Sequence, residues 1–265
     1  EGPVTLAGSV RFEKSSLFRM EAAPQVTARL ALGRGFSLFS KLDRSFMYPS
    51  FNDLYWRGPD EQGDPDLKTE RSRGFELGAH LDRERAEVGL AAYYRQVTDL
   101  ILWRTDATCV TTRSANAQAR LKGLELSLRL KPFAWAEGSI AYSIASARDE
   151  TGQQLVYRPP QVLAWSAKAD HAFSKHVSCG LVLSGRKVAE VKSGDQYDYA
   201  AGTCLHDTKL VGYAWALFYG YLAIDRARVF ARIPNLFDAT IYPSWGRPRL
   251  PGRSYELGIS WELAD

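Results

Sequence analysis

A chain of 265 residues that is 45% hydrophobic and 24% charged, with a mean hydropathy of -0.27, is too apolar for disorder and too polar for a bundle of transmembrane helices. Its formal charge of +4 is small and no Lys/Arg block stands out, so nucleic acid is not an expected partner. The aromatic load is high, 7 Trp, 13 Tyr and 12 Phe, as in membrane barrels with interfacial girdles.

In chain order, alternating or apolar segments fall at 3–12, 24–32, 35–46, 70–82, 85–103, 113–131, 134–147, 158–172, 175–188, 207–223, 226–236 and 252–263, twelve strands in all. Glu1 opens almost directly onto the first, so any export signal has been removed or lies elsewhere. In "KGLELSLRLK" (122–131), Leu124, Leu126, Leu128 and Leu130 fall on one side, and Glu125, Ser127 and Arg129 on the other. "AEVGLAAYYR" (86–95) and "SYELGISWEL" (254–263) separate in the same way. A period of two marks strands with different surroundings on their two faces. The uncharged run "LVGYAWALFYGYLAI" (210–224) is shorter than the roughly 20 residues of a spanning helix and rich in β-favouring residues, so it reads as strand.

The connections alternate without exception. Those at 33–34, 83–84, 132–133, 173–174 and 224–225 are tight; those at 13–23, 47–69, 104–112, 148–157, 189–206 and 237–251 are longer and hold most of the Gly, Pro and Asp. Short turns at one end and long loops at the other are the pattern of a transmembrane up-and-down antiparallel β-barrel. The expected fold is therefore all-β, with the leucine faces toward lipid and the Glu- and Arg-bearing faces toward a wet lumen.

No catalytic arrangement is visible. His80, His171, His176 and His206 are scattered, and no GxSxG, HExxH or Walker A pattern occurs. Asp60, Glu61, Asp64 and Asp66 could gather a calcium ion, but turn-forming residues of a solvated loop are the expectation, and no metal or cofactor is assigned. Cys109 and Cys204 lie in polar, loop-like stretches and Cys179 in a strand-like one. A Cys109–Cys204 bridge is expected of an exported protein, three unpaired thiols being the alternative. The long loops offer rigid aromatics beside hydrogen-bonding groups, as a large amphipathic ligand requires: Phe51, Asn52, Tyr55 and Trp56; Tyr197, Asp198 and Tyr199; Tyr242, Trp245 and Arg247.

The stretch "SFMYPSFNDLYWRGPDEQGDPDLKTE" (45–70) resembles the mid-barrel signature of TonB-dependent outer-membrane receptors, especially the cobalamin-receptor-like group. Pro49, Ser50, Phe51, Asn52, Leu54 and Tyr55 match its first part, and Pro65, Leu67 and Glu70 its second. Asp64 stands where asparagine is usual and Thr69 where proline is. "FELGAHL" (75–81), "GLAAYYRQVTDLI" (89–101), "ARLKGLELSLRL" (119–130), "YRPPQVLAWSA" (157–167) and "NLFDATIYPSWGRPRLPGRSYELGISWEL" (235–263) follow in the family's order.

The resemblance implies a bacterial outer-membrane location and the C-terminal portion of a 22-stranded barrel over residues 1–265, without the plug domain or early strands. It implies uptake of cobalamin or a ferric siderophore or haem chelate, with TonB acting through the plug. The plug and the other strands, about ten by difference from 22, are expected from a second polypeptide or a missing segment of the same gene product, pairing with 3–12 and 252–263. The alternative is a structural barrel component of a larger outer-membrane assembly, without transport.

Overall fold

The computed structural model describes residues 3–107, 109–198, 201–243 and 248–262. Its elements are β1 (Val4–Glu13), β2 (Glu21–Gly33), β3 (Phe36–Met47), α1 (Phe51–Tyr55), β4 (Glu61–Gln62), β5 (Glu70–Arg83), β6 (Ala86–Thr105), β7 (Thr112–Phe133), β8 (Ala136–Asp149), β9 (Gln161–Ala172), β10 (Val177–Val188), β11 (Val191–Asp198), β12 (Thr203–Leu210), β13 (Tyr213–Ile224), β14 (Ala227–Ile233) and β15 (Glu256–Trp261). Twelve of these strands form one path, β1-β2-β3-β5-β6-β7-β8-β9-β10-β13-β14-β15, each pairing antiparallel with its neighbours. Among the described residues the path does not close: β1 pairs only with β2, and β15 only with β14.

The twelve strands answer to the twelve sequence segments, with one correction at the loop end. Residues 189–206 are not a plain loop and 207–223 are not one strand. β11 and β12 form a separate two-stranded hairpin, and the wall resumes only at Tyr213. Gly212 makes the break possible, because the chain crosses close over the end of β10. A Cβ on Gly212 would lie 2.7 Å from the Val188 carbonyl oxygen and 2.9 Å from the Glu190 nitrogen.

Register settles which side chains share a face. One rung runs Val4–Leu30–Leu38–Ala79–Leu90–Leu126–Tyr142–Leu163 across β1 to β9. The opposite face carries charged and polar groups, many of them paired. Arg95 holds both Asp43 carboxylate oxygens at 2.9 and 3.0 Å and donates to Ser72 Oγ at 2.7 Å. Nearer the short turns, Arg129 meets Glu87 at 3.1 Å, Lys168 meets Asp170 at 2.7 Å, and the Tyr221 hydroxyl donates to Asp170 at 2.9 Å.

Very little apolar surface is buried within the protein. The buried cluster is Val97, Ala119, Ala147 and Leu155, with Leu100, Leu102 and Leu121 against it. Large hydrophobics such as Leu6, Leu257 and Ile259 are left 72%, 85% and 73% exposed. A water-soluble monomer does not expose a continuous apolar face of this extent. This is a single-layer wall whose apolar side is solvated by lipid and whose every backbone group must find a partner within the sheet.

Candidate functional site

The long-loop end is one connected assembly, and β6 and β7 are its frame. They run to 20 and 22 residues, about twice the 9–11 that a spanning strand needs, so their paired ends stand well clear of the bilayer. The loop between β3 and β5 folds against this projection. Ser50 and Asp53 make a reciprocal cap at the start of α1: the Ser50 nitrogen and hydroxyl donate to Asp53 Oδ2 at 2.9 and 2.6 Å, and the Asp53 nitrogen donates back to Ser50 Oγ at 3.2 Å. The indole Nε1 of Trp103 on β6 donates to Asp53 Oδ1 at 2.9 Å. Ser114 on β7 donates to the Asp53 carbonyl at 2.7 Å and accepts from the Asp64 nitrogen at 2.8 Å. Asn116 bridges the loop at Lys68 to the Asp99 carbonyl.

Burial acts to raise the Asp53 carboxyl, but the hydrogen bonds from Ser50 and Trp103 outweigh it and hold the group below the usual carboxylate range. Leu54 is buried beneath α1. Gly63 passes directly over the helix, where a Cβ would lie 2.8 Å from the Asn52 and Asp53 carbonyl oxygens.

This scaffold presents the first group of candidate residues together. Phe51, Asn52, Tyr55 and Trp56 lie on or beside α1 and all are exposed. The Phe51 and Tyr55 rings are 6.2 Å apart, and Trp56 Nε1 donates to Glu61 Oε2 at 3.1 Å. The loop carboxylates serve local turns as well: Asp64 Oδ1 accepts from the Asp66 nitrogen at 2.9 Å.

Of the second group, Tyr197 and Asp198 lie on β11. Tyr197 pairs through its backbone with Cys204, and Asp198 turns the chain by accepting from Ala201 N at 3.1 Å and, at its carbonyl, from Gly202 N at 2.7 Å. Tyr242 is exposed after β14. Tyr199, Trp245 and Arg247 fall outside the described residues.

A disulfide joins Cys109, at the tip of the β6–β7 projection, to Cys204 on β12, with Cα atoms 5.5 Å apart. The Cys204 sulfur also lies 3.6 Å from His206 Nδ1. Cys179 is unpaired in β10. The hairpin is further held where the Tyr157 nitrogen donates to the Lys192 carbonyl at 2.8 Å. The hydrogen bond from the Asp207 nitrogen, aided by His206, keeps the Asp195 carboxyl low.

The residues that position this surface, Asp53, Trp103, Ser114 and Asn116, are not among those singled out from sequence. The Ser50-x-x-Asp53 spacing carried a readable capping signal; Trp103, Ser114 and Asn116 were absorbed into strand patterns.

The family described as TonB dependent receptor-like, beta-barrel matches residues 1–236. The chain belongs to that family. The TonB-dependent receptor barrel is similar to vitamin B12 transporters BtuB of Photobacterium profundum, at 25% identity over 87% of this chain and 36% of the relative, and of Vibrio vulnificus, at 25% over 99% and 40%. It therefore spans about two fifths of the length of the curated relatives it matches. Its fold is shared with the siderophore receptor PirA of Acinetobacter baumannii (TM-score 0.74, 18% identity, 98% of this chain and 43% of that one) and with the copper transporter OprC (0.71, 16%, 98% and 45%). These relatives are transporters and receptors rather than enzymes, and the receptor barrel sits in the outer membrane, where barrels of this class turn their longer loops outward.

Proposed function

We propose that this chain forms the lipid-facing and ligand-facing wall of a TonB-dependent uptake receptor for a large nutrient, cobalamin or a ferric siderophore or haem chelate. The plug, the TonB contact and about ten further strands, by difference from the 22 of plugged outer-membrane transporters, come from a second chain or from another part of the same gene product. The observation that carries this reading is the open sheet. Along β1, about every second residue directs an N–H and C=O pair at an edge with no partner among the described residues. In hydrocarbon each unsatisfied group costs several kcal/mol, so both edges require strands.

The ligand rests on the loop assembly, on Phe51, Asn52, Tyr55 and Trp56 around α1 and on Tyr197, Asp198 and Tyr242; Tyr199, Trp245 and Arg247, which lie outside the described residues, are proposed as ligand contacts on their sequence alone. The vitamin B12 relatives favour a corrinoid; the siderophore-receptor folds keep ferric chelates in contention.

Two measurements test this. Single cysteines at Ser9 and Ser260, on the edge strands, should crosslink to the completing strands when the assembly is purified from outer membranes. Crosslinking of the two to each other would mean a small closed barrel and overturn the split. Separately, the triple substitution F51A/Y55A/W56A should weaken cyanocobalamin or ferric-chelate binding by about ten- to a hundredfold, as loss of aromatic anchors does. An assembly that binds none of these ligands would instead favour a structural barrel component.

A further inference from the structure

On the outward side of β5 to β8, just above the apolar rungs, the register aligns a row of cations. Arg73 pairs across to Gln96, Gln96 to Arg120, and Arg120 to Arg148; on the other flank Arg73 faces Arg44. One rung closer to the membrane, Lys122 lies between Tyr94 and Ser146. The next rung is wholly apolar: Leu77, Ala92, Leu124 and Ile144. The facing is unambiguous, because Val97, Ala119 and Ala147 are buried on the opposite side while Gln96, Arg120 and Arg148 are exposed. At about 4.8 Å per strand the row from Arg44 to Arg148 is about 19 Å wide, and each rung is about 7 Å from the next.

Such a row is unfavourable on its own, since like charges directly opposite on neighbouring strands repel. Arg44 is matched by Glu21 at 3.1 Å. Arg148 only donates to the Gly152 carbonyl at 2.7 Å, and among the described residues no carboxylate pairs with Arg73, Arg120 or Lys122. Arg120, Lys122 and Arg148 line one open cleft, and the acids at its edge, Asp149 and Glu150, are engaged elsewhere. Glu150 holds Arg104 at 3.0 Å and accepts from Gln118 N at 3.0 Å, and Asp149 accepts from Thr151 and Gln153.

We infer that Arg73, Arg120, Arg148 and Lys122 bind the phosphorylated headgroup of an outer-leaflet lipid whose chains lie along Leu77, Ala92, Leu124 and Ile144. Guanidinium groups present a donor fork that fits phosphate. The Gln96 amide donates to the Tyr94 hydroxyl at 3.1 Å, which leaves that hydroxyl its own hydrogen to donate, and Tyr94 lines the same cleft. A lipid is the occupant because the cation row is continuous with the lipid-solvated face and stands at headgroup height on the long-loop side.

The test is native mass spectrometry of the assembly containing this chain, extracted from outer membranes in mild detergent, with phosphorus analysis of the retained lipid. The R73Q/R120Q/R148Q variant should retain phosphorylated lipid about a hundredfold more weakly, each cation near an anionic surface contributing about a factor of five. R83Q/R85Q, at the short-turn end, should retain it as the parent does. Equal retention by parent and triple variant would overturn the assignment. So would complete displacement by excess inorganic phosphate, which would make this a free-phosphate site. Should the triple variant fail to assemble, R120Q and R148Q singly give the same readout: each must retain less than the parent, and parental retention by both refutes the site.

Discussion

Replacing Leu126 by arginine and, separately, Ser127 by arginine places the same side chain one residue apart on opposite faces of β7. Leu126 lies on the apolar rung between Leu90 and Tyr142 and is 42% exposed although almost wholly non-polar, because only lipid covers it. An arginine there must leave its charge in hydrocarbon or bend toward an interface, at a cost of about 2–4 kcal/mol near the midplane. That lowers the ratio of folded to unfolded protein by about 30- to 700-fold, at 1.4 kcal/mol per factor of ten. Ser127 instead sits opposite Gly89 and Ala141, in a cleft shared with Glu125 and His80. An arginine there reaches water and Glu125, so a change within about 0.5 kcal/mol is expected. Urea unfolding of the vesicle-reconstituted assembly, followed by tryptophan fluorescence, measures both. Equal destabilisation would show that the two faces of the wall do not differ in solvent, and the lipid assignment would fall.

Asp53→Asn should cost about 1 kcal/mol of loop stability, as loss of a helix cap does. Because the folded Asp53 pKa is depressed, its contribution is present above the unfolded value of about 3.9 and is lost as pH falls through the folded one; the parent's loop should become protease-sensitive below about pH 4 through this group, and D53N should lose that part of the transition. Gly63→Ala should displace α1 at a cost of about 1–3 kcal/mol, read as faster proteolysis within 48–69 with the sheet's circular dichroism unchanged; parental cleavage rates would remove Gly63 from the packing argument. Unreduced peptide mapping should find Cys109 linked to Cys204, and C109S/C204S should lose about 2–4 kcal/mol; free thiols at both positions in protein taken from the outer membrane would contradict the bridge.

The wall was legible because its physics is local. Period-two alternation such as Leu124 to Leu130 and turns such as Asp225-Arg226 record which face meets lipid and where the chain reverses. The loop end was legible only in part. Thr203–Leu210 alternates as well as the strand that follows it, and nothing in composition says that Gly212 lets the chain step away from the wall. The α1 surface depends on Trp103 and Ser114 reaching back 50 and 61 residues to Asp53, contacts that leave no periodic trace. The candidate aromatics could be named from sequence, but not the framework that gathers Phe51, Tyr55 and Trp56.

The link between Cys109 and Cys204 spans 95 positions and ties β7, β8, β9, β10 and β11 into one covalent ring. Both its ends belong to loops that finish outside the cell. A chain oxidised before it enters the membrane cannot pass these loops across one hairpin at a time, because the tip of β6–β7 and the β11–β12 hairpin must travel as a pair. Four wall strands are then delivered as a block, and a chain kept reduced until after entry is free of that constraint. The timing of thiol oxidation relative to insertion thereby decides whether this part of the wall is laid down stepwise or all at once.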